Sequence, residues 1–138
     1  MGFVWGCAVK WMTKTEVERA AKKGPLAALD NCIEKYTQML KAPAKALRAK
    51  FERTSIDYIW CHYCACCIHV GRDRHGVTQC GKCPIWAHGE THCSKQGWGN
   101  TRTAIHGLID GGPIAPVRQA IRELIRNMKK ARKIMVSK

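Results

Sequence analysis

Cysteine and histidine residues are concentrated in one stretch of this chain, residues 61–93. Seven of the nine cysteines and five of the six histidines lie there. Thiolate and imidazole are the ligands that zinc prefers in proteins, and a Cys-x2-Cys turn presents two thiolates together. Cys61 with Cys64 and Cys80 with Cys83 form two such pairs, at a separation typical of four-cysteine sites. The sequence therefore predicts a structural zinc ion bound by Cys61, Cys64, Cys80 and Cys83.

The spacing leaves other ligand sets open. Cys64 with Cys67 is an equally regular first pair, with twelve residues between it and the second pair. His92 or Cys93 follows the second pair and could replace one of the cysteines as a ligand. Cys66 fits neither pairing at this spacing, so it is either buried or part of a second site.

The sequence offers no catalytic constellation, and no catalytic residue is assigned. A catalytic zinc ion keeps an open coordination position with a general base beside it. His88-x-Glu90 matches half of the zinc deaminase signature, but here the Cys-x2-Cys pair precedes that motif instead of following it. A zinc-supported nuclease, which needs a histidine beside a second, acid-lined metal site, remains a lesser alternative.

Positive charge is concentrated at the carboxyl end. The chain of 138 residues carries a net charge of +14, and residues 116–138 contribute eight basic residues and one acidic residue. Such a field attracts phosphate backbones or acidic protein surfaces.

Pro116 is suited to the first turn of a helix, after which apolar residues recur on one face. These are Val117, Ile121, Leu124, Ile125, Met128 and Met135.

Cations recur nearly once per turn on the opposite face of the same helix. They are Arg118, Arg122, Arg126, Lys129, Lys130 and Lys133. A row of this kind could follow a phosphate backbone and would bind it with a strong dependence on salt. The sequence therefore predicts a zinc-stabilised, strongly basic protein that binds DNA or RNA, in which Trp5 or Trp98 could stack on bases.

The remaining elements are predicted from periodicity. Alternating apolar and aromatic residues over 3–11 predict a short strand. Thr13 or Thr15 with an acidic residue three positions later predicts a capping box, and Pro25 opens a second helix. Leu26, Leu29, Ile33, Tyr36 and Leu40 form the apolar stripe of that helix, and Pro43 ends or kinks it.

These elements predict an α+β fold that is mainly helical and divides into three segments. Residues 1–55 contain the strand and helices, and residues 56–100 form a treble-clef-like or zinc-ribbon-like module. Residues 101–138 form a linker and the basic helix, and all three segments are expected to pack as one compact domain.

The amino terminus lacks the features of a signal peptide, and no apolar run approaches the length of a transmembrane helix. The number of cysteines is odd and their spacing is that of metal ligands, so a reducing compartment is expected. The sequence therefore predicts a cytoplasmic protein with no membrane partner.

The order of a Cys-x2-Cys pair, a variable loop, Cys80-x2-Cys83-Pro84-Ile85 and a later Cys93 resembles small bacteriophage-encoded, cysteine-rich zinc-binding proteins. The resemblance covers roughly residues 45–130, with helices before and after the cysteines. It implies a phage origin, a setting in the host cytoplasm and no particular activity. A second hypothesis is therefore a phage effector whose charge complements an acidic surface of a host polymerase, nuclease or defence complex.

Overall fold

The computed structural model describes residues 9–76, 78–85 and 97–137, and these residues are predominantly helical. Within these ranges the α-helices are α1 (Lys14–Lys23), α2 (Pro25–Lys41), α3 (Ala44–Thr54), α4 (Ala65–Val70), α5 (Trp98–Ile109) and α6 (Ala115–Val136). Short 3₁₀ turns lie at Ser55–Ile59, Cys61–Tyr63 and Cys80–Lys82.

The predicted helix boundaries are confirmed where local chemistry defines them. The side chain of Thr13 accepts from the Glu16 amide at 3.2 Å, and the Glu16 carboxylate accepts from the Thr13 amide at 3.0 Å. This is the predicted capping box, and it lowers the pKa of Glu16 through the hydrogen bond from the Thr13 backbone. Pro25 is the first residue of α2, and Pro43 separates α2 from α3.

The predicted α+β class is wrong for the part of the chain that the structure describes. Residues 3–8 of the expected strand lie outside it, and residues 9–11 have no regular structure. The side chain of Gln38 replaces a neighbouring strand there. Its carbonyl accepts from the Met12 amide at 3.1 Å, and its amide donates to the Lys10 carbonyl. Backbone groups satisfied in this way need no sheet.

A treble-clef-like or zinc-ribbon-like sheet is also absent from the described ranges. Their sole β-pairing is one antiparallel bridge between Arg72 and Thr78. The loop between these residues closes at once, because the Gly76 amide donates to the Asp73 carbonyl at 3.0 Å. This loop is too short for further β-pairing beyond the single bridge. The cysteine segments are therefore joined by turns and by α4.

One hydrophobic core draws residues from all three predicted segments. On α6, the predicted stripe is confirmed: all of its members are buried except Met135, which is half-buried. On α2, the buried face is rotated from the predicted stripe, and Leu26, Ile33 and Leu40 are only half-buried. The face that α2 buries comprises Ala28, Leu29, Asn31, Cys32, Lys35, Tyr36 and Met39. This rotation places a thiol and an ammonium group in the interior.

Helix α5 meets α6 at a point where only glycine fits. Gly97 precedes α5 with a φ of +112°, and a Cβ atom there would lie 2.9 Å from the backbone nitrogen of Leu124. We expect Gly97→Ala to lower the free energy of unfolding by about 2–4 kcal/mol, through backbone strain and overpacking.

Gly107→Ala is the matched control, because Gly107 lies within α5 and a Cβ atom there would meet nothing within 4 Å. This change should be neutral or stabilise the protein by up to about 1 kcal/mol. Denaturant unfolding of both variants measures the difference. Equal stability of the two would contradict the close packing of α5 on α6.

Candidate metal centre and basic helix

The two Cys-x2-Cys segments adopt the same tight turn. The Cys64 amide donates to the Cys61 carbonyl at 3.2 Å, and the Cys83 amide donates to the Cys80 carbonyl at 2.9 Å. Cys64 then caps α4, whose first turn contains Cys66 and Cys67. The structure therefore gives Cys61 and Cys64 the same turn as Cys80 and Cys83. It places the alternative pair, Cys64 and Cys67, at the start of a helix.

All seven cysteines of the described residues are free thiols. Six of them line one cavity, and the seventh, Cys66, contacts Cys32, so we refer to the seven as the cysteine cluster. Cys32 Sγ on α2 lies 3.7 Å from Cys64 Sγ and 3.6 Å from Cys66 Sγ. Cys67 lies near Cys61, and Cys83 lies near Cys66. Sequence analysis missed Cys32 because it lies outside the cysteine-rich stretch. A buried cysteine on the core face of α2 was the only available signal.

The cluster favours ionisation at two of its thiols. Hydrogen bonds from Cys32, Cys66 and Cys67 hold the pKa of Cys64 well below its usual value. A hydrogen bond from Cys67 lowers the pKa of Cys61 to about 6, and the Thr78 side chain contributes. The partner thiols, which keep their protons, have raised pKa values for the same reason. Thiolate is the form that binds metal.

Lys35 places a positive charge beside these thiols. The residue is fully buried on α2, and its ammonium group donates to the carbonyls of Tyr58 at 3.2 Å and Tyr63 at 2.5 Å. Its charge contributes to the low pKa of Cys64. A buried ammonium without a negative partner is costly, so thiolates nearby offset part of that cost.

A cavity of about 170 Å³ lies at the centre of the cluster, between α2 and α6. Six cysteines line it, namely Cys32, Cys61, Cys64, Cys67, Cys80 and Cys83. Trp60 and Trp98 lie over it with their rings 5.4 Å apart, and Leu124 and Met128 of α6 form its far wall. The wall is almost entirely apolar apart from sulfur, which is a typical environment for a metal–thiolate centre.

The described residues include no group of three or more histidine, cysteine, aspartate or glutamate side chains arranged to hold a metal ion as they stand. A metal would therefore require the thiols to turn toward a common point. Of the predicted ligands, Cys61, Cys64, Cys80, Cys83 and the alternate Cys67 are brought together. The alternates His92 and Cys93 lie outside the described residues.

Five of the six predicted cationic residues on α6 are exposed, namely Arg122, Arg126, Lys129, Lys130 and Lys133. They border one shallow groove together with Ile125. Arg132, which does not belong to this set, pairs with Asp30 at 2.5 Å. We refer to the five exposed cations as the basic face.

Arg118 has a different environment from the basic face. It is half-buried, and its guanidinium donates to the Ala42 carbonyl at 3.2 Å, at the junction of α2 and α3. This contact holds the start of α6 against the core. Arg118 is therefore placed as a structural residue, although the sequence groups it with the phosphate-binding cations.

Trp98 is the described one of the two tryptophans that were predicted to stack on bases. Trp98 is half-buried, its indole nitrogen donates to the Ile59 carbonyl at 3.0 Å, and the Arg102 guanidinium lies 5.5 Å from its ring centroid. Trp98 therefore packs the cavity more than it presents a free surface to a base. Trp5 lies outside the described residues.

Comparison of the chain with protein-family models, with curated proteins and with solved structures finds no match. The resemblance to phage-encoded zinc-binding proteins therefore stays a prediction. No helix of the described residues combines the length and apolar character needed to cross a membrane.

Lys35 and Lys50 provide a test of the buried ammonium group, since both lie near the ring of Tyr58, at 5.5 and 4.4 Å. Lys35→Met leaves two carbonyls without a donor, and we expect it to lower the free energy of unfolding by about 2–4 kcal/mol. Lys50→Met, at a half-buried site, should cost about 1 kcal/mol or less. Denaturant unfolding provides the measurement, and a harmless Lys35→Met would refute the role assigned to this ammonium.

Proposed function

We propose that this chain is a zinc-stabilised, strongly basic protein that binds nucleic acid through the basic face of α6. The observation that carries the proposal is the exposure of five cations on one helix face. A surface of this kind supports binding to phosphates without readout of base sequence.

The dimensions of the basic face fit a nucleic-acid backbone. Arg122 and Lys133 are eleven positions apart, which is about 16 Å along a helix. That length covers roughly five base-pair steps of a duplex, at about 3.4 Å each. Arg122, Arg126, Lys129 and Lys133 follow one another at intervals of four, three and four residues and so share one side of the helix.

The zinc part of the proposal rests on the cysteine cluster. Cys61, Cys64, Cys80 and Cys83 are the proposed ligands, two from each tight turn. Leu124 and Met128 line the cavity at the cluster, while the basic face lies on the other side of the same helix. A metal bound to the thiols would therefore hold α6 in position and present its cations to a phosphate backbone.

An acidic surface of a host protein is the alternative partner for the same face, since its recognition would use the same charges. A zinc-supported nuclease is a third alternative, for which no catalytic residue is assigned. Phage origin and a cytoplasmic setting remain predictions of the sequence resemblance.

Charge reversal tests the basic face. The variant Arg122→Glu/Arg126→Glu/Lys129→Glu/Lys133→Glu should bind labelled DNA or RNA about 10³-fold more weakly near 0.15 M salt. The slope of log K against log salt should become shallower by about four. Fluorescence anisotropy with single- and double-stranded DNA and RNA, at several salt concentrations, measures both quantities and selects the substrate.

The matched control reverses four exposed cations elsewhere, Lys22, Lys23, Lys45 and Arg53, and so changes the net charge equally. We expect it to weaken binding by about tenfold or less, through long-range charge alone. Equal loss in both variants would show that binding depends on net charge and would refute a specific face. If the wild type binds none of the four probes at physiological salt, the acidic-protein alternative replaces this proposal.

Removal of zinc tests the stabilising role. Structural zinc binding contributes directly to folding free energy, so chelation in reducing buffer should unfold at least residues 56–85. Trp60, Tyr63 and Trp98 lie around the cluster, so the near-UV circular dichroism should collapse. Hydrogen exchange should accelerate in the same residues while α6 keeps its helix. An unchanged near-UV spectrum after complete chelation would contradict the proposal.

A further inference from the structure

Helix α6 carries the cations of the basic face but no aromatic ring. Its residues, Ala115–Val136, include no phenylalanine, tyrosine or tryptophan. Proteins that hold single-stranded nucleic acid combine positive charge with aromatic side chains on which bases stack, and each stacked base contributes about 1–3 kcal/mol. The basic face provides the charge without the rings, so a nucleic acid lying on it would be held through its phosphates alone.

The exposed tryptophan of the protein lies on another side of α6. Among the phenylalanine, tyrosine and tryptophan side chains that the structure describes, Trp60 alone is exposed, at 37%. Its ring lies 5.4 Å from that of Trp98, and both rings line the cysteine cavity together with Leu124 and Met128 of α6. Leu124 is two positions from Arg122, which is about 200° around a helix. A backbone that follows the basic face would therefore pass on the side of α6 away from Trp60.

The density of phosphates distinguishes a duplex from a single strand. A duplex carries about one negative charge per 1.7 Å of its axis, and each strand alone about one per 3.4 Å. Arg122 and Lys133 lie about 16 Å apart along the helix, a length over which a duplex presents about nine phosphates and a single strand about five. Each contact with a duplex also releases more counterion, about 0.9 per phosphate against about 0.7.

The basic face is held as a straight and rigid row. Helix α6 has 22 residues, and Arg118 near its start donates to the Ala42 carbonyl. Arg132 pairs with Asp30 of α2 nearer its end. A duplex is stiff over such a length, because its persistence length is about 150 base pairs. A flexible single strand would have to be ordered along the row, and this entropic cost would have no stacking to offset it.

We infer that the basic face binds double-stranded nucleic acid in preference to single strands and holds the duplex through its phosphates. This inference rests on the proposed function and names the substrate class of the same site. Duplex DNA and duplex RNA share the chemistry that the face recognises, so each is one arm of the test.

Counterion release sets the size of the expected preference. If each of the five cations neutralises one phosphate, the slope of log K against log salt should be about −4.5 for a duplex and about −3.5 for a single strand. With equal affinities at 1 M salt, where this contribution vanishes, the duplex should bind about sevenfold more tightly near 0.15 M salt.

Competition between the two forms tests the inference on the full, zinc-loaded chain in reducing buffer. A duplex of about 20 base pairs competes with a single strand of about 40 nucleotides that cannot pair with itself, so that both carry a similar number of phosphates. Fluorescence anisotropy at several salt concentrations measures affinity and slope, for DNA and for RNA. A preference of about sevenfold or more for the duplex, in DNA, in RNA or in both, supports the inference. Single strands bound as tightly as duplexes, or more tightly, in both series would overturn it.

Trp60→Ala tests for stacking separately. Because the phosphates alone hold the nucleic acid, the variant should bind both forms within about twofold of the wild type. A larger loss for the single strand than for the duplex, with an unchanged far-UV circular dichroism spectrum, would reveal stacking and overturn the inference. If the variant does not fold, the competition on the wild type decides by itself.

Failure of this inference is distinguishable from failure of the proposed function. A preference for single strands that the fourfold charge reversal of the basic face abolishes would refute the duplex preference alone. Absence of binding to all four probes at physiological salt would refute the nucleic-acid role and the duplex preference together.

Discussion

The buried ammonium group of Lys35 is the constraint on which the interior depends. It donates to the carbonyls of Tyr58 and Tyr63, so α2 is tied to the turns that lead into the first pair of cysteines. Its charge is kept away from water, and the neighbouring thiols are the groups that can offset it by ionising. The helical core and the cysteine cluster therefore meet at this one side chain.

Helix α6 joins the two parts of the proposed function. Its apolar face contributes Leu124 and Met128 to the cysteine cavity, and its opposite face presents the five exposed cations. The start of the helix is held by Arg118 on the Ala42 carbonyl, and Arg132 pairs with Asp30 of α2 nearer its end. Two cations of the helix thus position it, which leaves the basic face available for a partner.

Much of the fold could be predicted because its causes are local. The capping box at Thr13, the proline that opens α2 and the amphipathic pattern of α6 each act within a few residues, and the structure confirms them. The predicted strand is wrong at residues 9–11, the part of it that the structure describes, for a non-local reason. The side chain of Gln38, more than twenty residues away, satisfies the backbone near Met12, so no second strand is needed.

The sequence by itself determined the two tight cysteine turns and the charge of the basic face, because spacing and periodicity are properties of the chain. Only the tertiary structure decided that α2 turns Cys32 and Lys35 inward, since the buried side of a helix depends on what packs against it. The tertiary structure also separates Arg118 from the basic face, because its guanidinium donates to the Ala42 carbonyl. The membership of the thiol cluster was settled by contacts between segments more than thirty residues apart, and no local pattern encodes such contacts.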